Sequence, residues 1–135
     1  MMAKIKASEI RKWSDQQKRL LHEVLLESVV EVTTVAQDGV PEVTGRLKNS
    51  LVVELNGKRV GEGRDAYEAA IRSAKTGDTI TVGWTAPYAV GVEGGFTQTV
   101  SGGRTINRPG RFFMQRALME WPEILRKIAK QRGAL

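Results

Sequence analysis

The longest patterned stretch of the chain, residues 8–37, reads as helix, and every other element must be arranged around it. Leu21, Val24, Leu25, Ser28, Val32 and Val35 recur at spacings of three and four, which sets them along one apolar stripe. Ser14-Asp15-Gln16-Gln17 has the form of a capping box, in which the Ser hydroxyl and the Gln side chain each satisfy an end N–H. Ahead of it, residues 8–13 fit a separate short helix with Ile10 and Trp13 on the same side. Asp38-Gly39 ends the run, because Gly is the common residue just past a helix C-terminus, and Pro41 keeps it from restarting. The last turns hold Val29, Val30, Val32, Thr33, Thr34 and Val35. Such β-branched residues lower intrinsic helix propensity, so packing must hold that end.

Residues 44–84 mix strands with one helix. Leu51-Val52-Val53-Glu54-Leu55 is a strand closed by Asn56-Gly57, a dipeptide that favours a tight hairpin turn. Lys58-Arg59-Val60-Gly61 suits its return strand. Residues 65–75 form a short helix with Tyr67, Ala70, Ile71 and Ala74 on one face, ended by Gly77. Asp78-Thr79-Ile80-Thr81-Val82-Gly83-Trp84 alternates as a half-buried strand does.

Pro87 suits the first turn of a helix, which runs through Tyr88, Ala89, Val92 and Glu93 to Gly94-Gly95. Residues 96–100 and 104–107 are Thr-rich arms around Ser101-Gly102-Gly103; a three-residue turn there makes a projecting hairpin, and a disordered loop over 94–108 is the other reading. A last helix runs from about residue 111 to 130, with Phe113, Ala117, Leu118, Trp121, Leu125 and Ile128 on one side. Pro122 removes an internal hydrogen bond and must kink or split it. The order predicts an α+β fold: a small, mainly antiparallel sheet packed against a long N-terminal helix and a C-terminal helix, with a projecting hairpin or loop. With 135 residues and 41% hydrophobic composition, residues 1–135 make one domain with an N-terminal segment over 1–13.

No apolar run approaches the about 18 residues a membrane span needs, and the basic start has no apolar stretch behind it, so it is no secretory signal. Cysteine is absent, which rules out disulfides and thiolate metal sites. The net charge of +6 lies entirely in residues 104–135, where Arg104, Arg108, Arg111, Arg116, Arg126, Lys127, Lys130 and Arg132 face only Glu120 and Glu123. That is either a solvated helix face or a contact for an acidic partner.

Catalytic chemistry finds little footing. His22 is the one histidine and follows Leu20 and Leu21 on a helix; with no Cys, and no Ser in a nucleophile-elbow setting, it reads as an ordinary helix residue. One His and no Cys cannot supply the ligands zinc prefers. No carboxylate pair is fixed by sequence in an acid–base arrangement. The Gly-rich pieces around Gly57–Gly63 and Gly94-Gly95 lack the Lys-Ser/Thr of a phosphate loop and the strand-to-helix setting of a dinucleotide fingerprint. The sequence predicts no enzyme, no cofactor and no metal.

Three local patterns stand out in fixed order. Val43-Thr44-Gly45-Arg46-Leu47-Lys48-Asn49-Ser50 follows the long helix; Ala86-Pro87-Tyr88-Ala89-x-x-Val92-Glu93-x-Gly95 comes about forty residues later; Arg108-Pro109-Gly110-Arg111-Phe112-Phe113-Met114-x-x-Ala117-Leu118 enters the last helix. Together they resemble the V-D-T-G-R-L-R-x-S, A-P-Y-A-x-x-V-E-Y-G and R-P-x-F-L-x-x-A-L segments of the tailed-phage tail-completion, or head–tail joining, minor tail protein family, over roughly residues 8–130. Val43 stands where that family usually has Asp, removing a possible cap, and Gly94 where it usually has an aromatic, removing a ring contact.

The resemblance implies a structural virion protein. It forms a homo-oligomeric ring, sixfold or twelvefold, in the neck or at the head-proximal end of the tail, and it is needed for head–tail joining. Its partners are then copies of itself, the connector or head-closure protein on one side, the tail-terminator or tail-tube protein on the other, and DNA in the channel. The host cytoplasm is its place during assembly, the virion afterwards, and no membrane is involved. Thr44 is expected to cap the turn that sets Leu47 inward and Arg46 outward, and Pro87 to start a turn that buries Tyr88 and aims Glu93 at the sheet edge. Arg46 and Glu93 then pair within the subunit or across a ring joint, or are unrelated surface charges. Phe112 and Phe113 cannot both face inward on one turn, so one is a contact residue. The interface candidates are Arg46, Glu93, Phe96, Thr97, Thr99, Arg104 and Phe112; the channel candidates are Arg104, Arg108, Arg111 and Lys127. The rival reading is a small basic nucleic-acid-binding module, favoured by a pI of ≈ 9.9. Against it, no helix-turn-helix, zinc or RNA-binding signature is present.

Overall fold

Helix α1, Ala7–Asp38, is the axis of the molecule: the sheet and α3 lie on one side and the C-terminal helices on the other. The computed structural model describes residues 6–42, 45–100, 104–108 and 110–134, with the side chains of 90, 96–100 and 104–108 outside that description. The expected cap at Thr44 and the turn at Ser101-Gly102-Gly103 fall outside the described residues. After α1 come α2 (Arg46–Asn49), β1 (Leu51–Leu55), β2 (Lys58–Glu62), α3 (Tyr67–Arg72) and β3 (Ile80–Trp84). Then follow α4 (Ala89–Gly94), β4 (Phe96–Val100), β5 (Arg104–Arg108), α5 (Phe113–Met119) and α6 (Trp121–Gln131). The predicted α+β architecture is what the chain adopts.

The two faces of α1 explain where the one-stripe reading went astray. Val24, with Val32 and Val35 beside it, packs on Ile124 and Ile128 of α6. The opposite face sends Leu26 and Val30 against Val53 of the sheet and Ile71 of α3. A helix covered on two sides carries two stripes, so Leu26 and Val30 are buried while Leu21 and Leu25 stay exposed. The hydroxyls inside these contacts bond back along the helix, Ser28 Oγ to Val24 O at 2.6 Å and Thr33 Oγ1 to Val29 O at 2.7 Å. Each buried hydroxyl thereby keeps a partner.

Two local readings at the start of α1 need correction. The helix starts at Ala7 without a break, so no separate helix covers 8–13 and Ser14 is an interior residue rather than a cap. Nothing between Ala7 and Gln17 interrupts a helix once begun, and propagation is easier than a second nucleation. At the other end Asp38-Gly39 closes α1 as expected, with Gly39 in right-handed geometry, φ −83°. Its small size serves packing instead: a Cβ there would lie 3.3 Å from Phe113 Cβ.

The sheet has strand order β2-β1-β3, all antiparallel. Asn56 (φ 54°) and Gly57 (φ 81°) both take the left-handed region, as the expected tight turn demands. Val53 lies opposite Val82 and Leu55 opposite Ile80, so these four share the face covered by α1 and α3. Gly61, opposite Val53 on β2, is where α3 comes closest: a Cβ there would sit 2.6 Å from Ala70 Cβ. Helix α3 shows its predicted face, with Ala70 and Ile71 buried and Tyr67 bonding Thr34 through its hydroxyl at 2.7 Å. Pro122 does split the C-terminal helix, ending α5 and standing in the first turn of α6. Across that break the apolar register changes, so Ile124 is buried while Leu118 is exposed. No helix among the described residues is long and apolar enough to cross a membrane.

The basic C-terminal helix is clasped to α1. Lys127 Nζ meets Glu31 Oε1 at 2.5 Å, and Arg132 reaches Glu27 Oε2 at 2.6 Å and Glu23 Oε2 at 3.2 Å. The three glutamates follow one another at helical spacing of four, one side of α1 facing an antiparallel partner.

Candidate interaction surface

Hairpin β4–β5 stands apart from the main sheet. The two strands pair antiparallel with each other, Phe96 opposite Arg108 through Val100 opposite Arg104, in a sheet of their own. A lone two-stranded hairpin is at best marginal in water, so the way its base is held matters more than its length.

That base is built from the second and third sequence patterns. Helix α4 ends at Gly94, and the chain leaves it through Gly95 at φ 83° into β4. On return from β5, Arg111 N donates to Val92 O at 2.8 Å and Phe112 N to Glu93 O at 3.0 Å. Gly110 makes the approach possible: a Cβ there would lie 2.6 Å from Glu93 O, 2.8 Å from Gly94 C and 2.9 Å from Gly95 N. All three are backbone atoms with no freedom to swing aside. Phe112 then takes φ 51°, a left-handed conformation, and the turn delivers Phe113 into the core at 3% exposure while Phe112 stays 39% exposed. The prediction that one of the two aromatics faces out is met, by Phe112.

Glu93 has a different job from the one expected. Its carboxylate accepts Met114 N at 2.9 Å and Gln115 N at 3.0 Å. It therefore covers the first unpaired N–H groups of α5, a capping role supplied from another helix. It does not turn toward the sheet edge, and Tyr88 is exposed rather than buried. The sequence carried no signal for this, because the cap and the helix it serves lie about twenty residues apart.

All three sequence patterns meet in one small core beneath the hairpin. Leu47 from the first, Ala86 from the second and Phe113 from the third pack together with Val40, and Trp84, Ala89 and Val92 close around them. The Trp84 and Phe113 rings meet edge to face, centroids 4.9 Å apart at 82°, a favoured aromatic geometry. Gln37 ties this core to the chain around it. Its Nε2 donates to Lys48 O at 2.9 Å and Arg64 O at 3.1 Å, and its Oε1 accepts Trp84 Nε1 at 2.9 Å. Comparison of the chain with family models, curated proteins and solved structures returns no match.

Arg46 is exposed and lines an open groove of ≈ 680 Å³ with Asn49, Ser50, Glu62, Thr85, Ala86 and Pro87. Of the four channel candidates, Lys127 is paired with Glu31 on α1, and Arg111 is exposed beside the hairpin base. Arg104 and Arg108 lie on β5, as Phe96, Thr97 and Thr99 lie on β4, with side chains outside the described residues. No group of three metal-ligating side chains gathers among the described residues.

Near this core Glu42 clips the segment after α1 to the turn before α3, meeting Arg64 Nη2 at 2.5 Å and Lys48 Nζ at 3.6 Å. The hydrogen bond from Arg64, then its charge and that of Lys48, holds the Glu42 carboxyl below the usual carboxylate range. A depressed folded-state pKa gives stability that is present above the unfolded value and lost as pH falls through the folded one. Glu42→Gln is therefore expected to lower stability at neutral pH and to leave it unchanged once the wild-type carboxyl is protonated. Urea unfolding from pH 7 down to pH 3 checks this; a constant difference between the two proteins over that range would show that the clip is not electrostatic.

Proposed function

We propose that this chain is a structural subunit of a tailed-phage virion, working as one copy of a homo-oligomeric ring in the neck or at the head-proximal end of the tail. The observation that carries the reading is the β4–β5 hairpin, held at a close-fitting base and, among the described residues, hydrogen-bonded to no strand of the three-stranded sheet. A two-stranded ribbon is at best marginal in water on its own, and an unpaired strand edge can take up a strand of a neighbour. The resemblance of the three patterns supports the same role, and their residues converge on the core that supports the hairpin. The work is binding, done between copies and with the connector-side and tail-side proteins of the ring.

Deletion of residues 97–105 with a Gly bridge tests this. The melting temperature of the isolated chain is expected to stay nearly unchanged, while assembled tails fall in number. A marked loss of chain stability would mean that the hairpin belongs to the core, and the reading would fail.

The nucleic-acid reading retains one specific support. Arg111, Arg116, Arg126 and Lys130 are exposed and make no ion pair among the described residues. Against it, Lys127 and Arg132 are neutralised by α1, which removes part of the sequence's basic excess from any DNA face. A DNA shift assay at rising salt, run beside sedimentation of the protein alone, separates the two. Tight, steeply salt-dependent binding by a monomer would favour the module.

A further inference from the structure

The turn between β1 and β2 carries a reactive pair of residues. In Asn-Gly the asparagine side chain loses its amide nitrogen most readily, because glycine has no Cβ to hinder attack by its own backbone nitrogen. Asn56 and Gly57 are both exposed to water, and the space where a Gly57 Cβ would stand is open, with nothing within 4 Å. The reacting groups and the solvent are therefore in place. What remains is geometry: the Gly57 nitrogen must reach Asn56 Cγ, and for that the Asn56 side chain must turn about its own bonds.

The fold blocks that rotation. The loop between α3 and β3 holds the Asn56 carboxamide at both ends: Nδ2 donates to Asp78 Oδ1 at 3.0 Å, and Oδ1 accepts Thr79 N at 3.0 Å. The main chain adds a third tie, Asn56 N donating to Thr79 O at 2.9 Å. Asp78 is itself fixed, since Lys75 N donates to its Oδ2 at 2.7 Å and Asp78 N donates to Lys75 O at 3.0 Å. The hydrogen bonds from Lys75 N and from Asn56 hold the Asp78 carboxyl below the usual carboxylate range, so the acceptor is ionised at neutral pH. With both ends of a planar amide anchored, neither side-chain torsion of Asn56 is free to change. All of this lies at the surface, where local opening is easier than in the core.

We infer that Asn56 is a latent deamidation site, kept closed in the folded chain by the Asp78–Thr79 clamp and opened when that loop lets go. In the first step Gly57 N gives up its proton to water and bonds to Asn56 Cγ. The Cγ–Nδ2 bond breaks, and the nitrogen takes up a proton and leaves as ammonia. Water then opens the cyclic imide at either carbonyl, leaving an aspartyl or an isoaspartyl residue, so water is the only co-reactant. The product cannot close the clamp again. Its amide donor is gone and a new carboxylate faces Asp78. The isoaspartyl form also adds a methylene to the main chain of a turn whose length sets Leu55 opposite Lys58. Conversion is thus a one-way loosening of the β1–β2 hairpin from the α3–β3 loop, and it holds whether or not the chain forms a ring.

Ageing the full chain at mildly alkaline pH tests this, with the mass gain of deamidation mapped to Asn56 by peptide fragmentation. The same chain unfolded in guanidinium gives the reference rate. Folded wild type is expected to react about tenfold more slowly or better, the change in population that a lost pair of hydrogen bonds produces. Asp78→Ala, shown to be folded by its thermal melt, is expected to approach the reference rate. A second measurement needs no variant. Amide exchange at Val53, fully buried in β1, reports global unfolding, while opening of the clamp exposes little surface. The wild-type rate at Asn56 should therefore stay nearly flat through low guanidinium concentrations over which exchange at Val53 climbs. Asp78→Ala reacting as slowly as wild type would show that turn geometry alone protects Asn56, and the inference is overturned. A wild-type rate that tracks Val53 through the guanidinium series would mean that reaction needs the whole chain to unfold, which overturns it equally. Wild type reacting at the reference rate would show that no clamp operates.

Discussion

Replacing Gln37 with leucine is expected to destabilise the chain by about 3–5 kcal/mol, the sum of several lost bonds at a buried site. Gln37 is 5% exposed, and its amide serves three groups from three different parts of the chain: the carbonyls of Lys48 and Arg64 and the indole N–H of Trp84. Leucine fills nearly the same volume but takes the amide away from all three, leaving the Lys48 carbonyl only the Ser50 N–H, and each orphaned group costs about 1–3 kcal/mol. For a domain of this size that shift lowers the melting temperature by roughly 10 °C or more. Denaturant unfolding with an unchanged slope measures it. Gln37→Glu is the informative companion, since it keeps an acceptor for Trp84 and loses both donations. A loss under about 1 kcal/mol for the leucine variant would mean that water replaces the amide, and the hub would be a convenience rather than a support.

Gly110→Ala should produce the second large effect, about 2–3 kcal/mol, typical of an added methyl with no room. The new Cβ would fall within 3 Å of three backbone atoms of residues 93–95. Relief requires separating the strands at the hairpin base, which breaks the bonds from Arg111 N to Val92 O and from Phe112 N to Glu93 O. The Glu93 cap on α5 goes with them, because the same turn sets Met114 N and Gln115 N against the carboxylate. Amide exchange should therefore rise at Arg111, Phe112, Met114 and Gln115 before anywhere else. Gly94→Ala is the control. Nothing lies within 4 Å of a Cβ there, so the change should be neutral or slightly stabilising in α4. Equal effects at the two glycines would show that helix propensity, not the clamp, governs this corner.

These two residues also mark the border between what was legible in the sequence and what was not. Gln37 reads there as one more polar residue near a helix end, and Gly110 as part of a turn. Their importance depends on atoms that come from 11, 27 and 47 positions away for Gln37 and from the far side of the hairpin for Gly110. Local chemistry was read correctly where it suffices. Asn56-Gly57 makes its turn because both residues tolerate positive φ, and Pro122 breaks a helix because it has no N–H to give. Alternation identified β3, and the face of α3 followed from spacing alone.

By itself, then, the sequence determined the order of the main elements, the turn at Asn56-Gly57, the helix break at Pro122 and the outward turn of one of two adjacent phenylalanines, since each follows from the covalent and steric habits of a few neighbouring residues. Tertiary structure alone decided which leucines of α1 are buried. The same helical period is satisfied by one stripe or by two, and only the arrival of α6 on one side and the sheet on the other selects Val24, Leu26 and Val30 over Leu21 and Leu25. It likewise decided that Glu93 caps α5 and that Lys127 and Arg132 face α1. Such pairings act across long stretches of chain, and no local pattern records which distant group folding will bring within 3 Å.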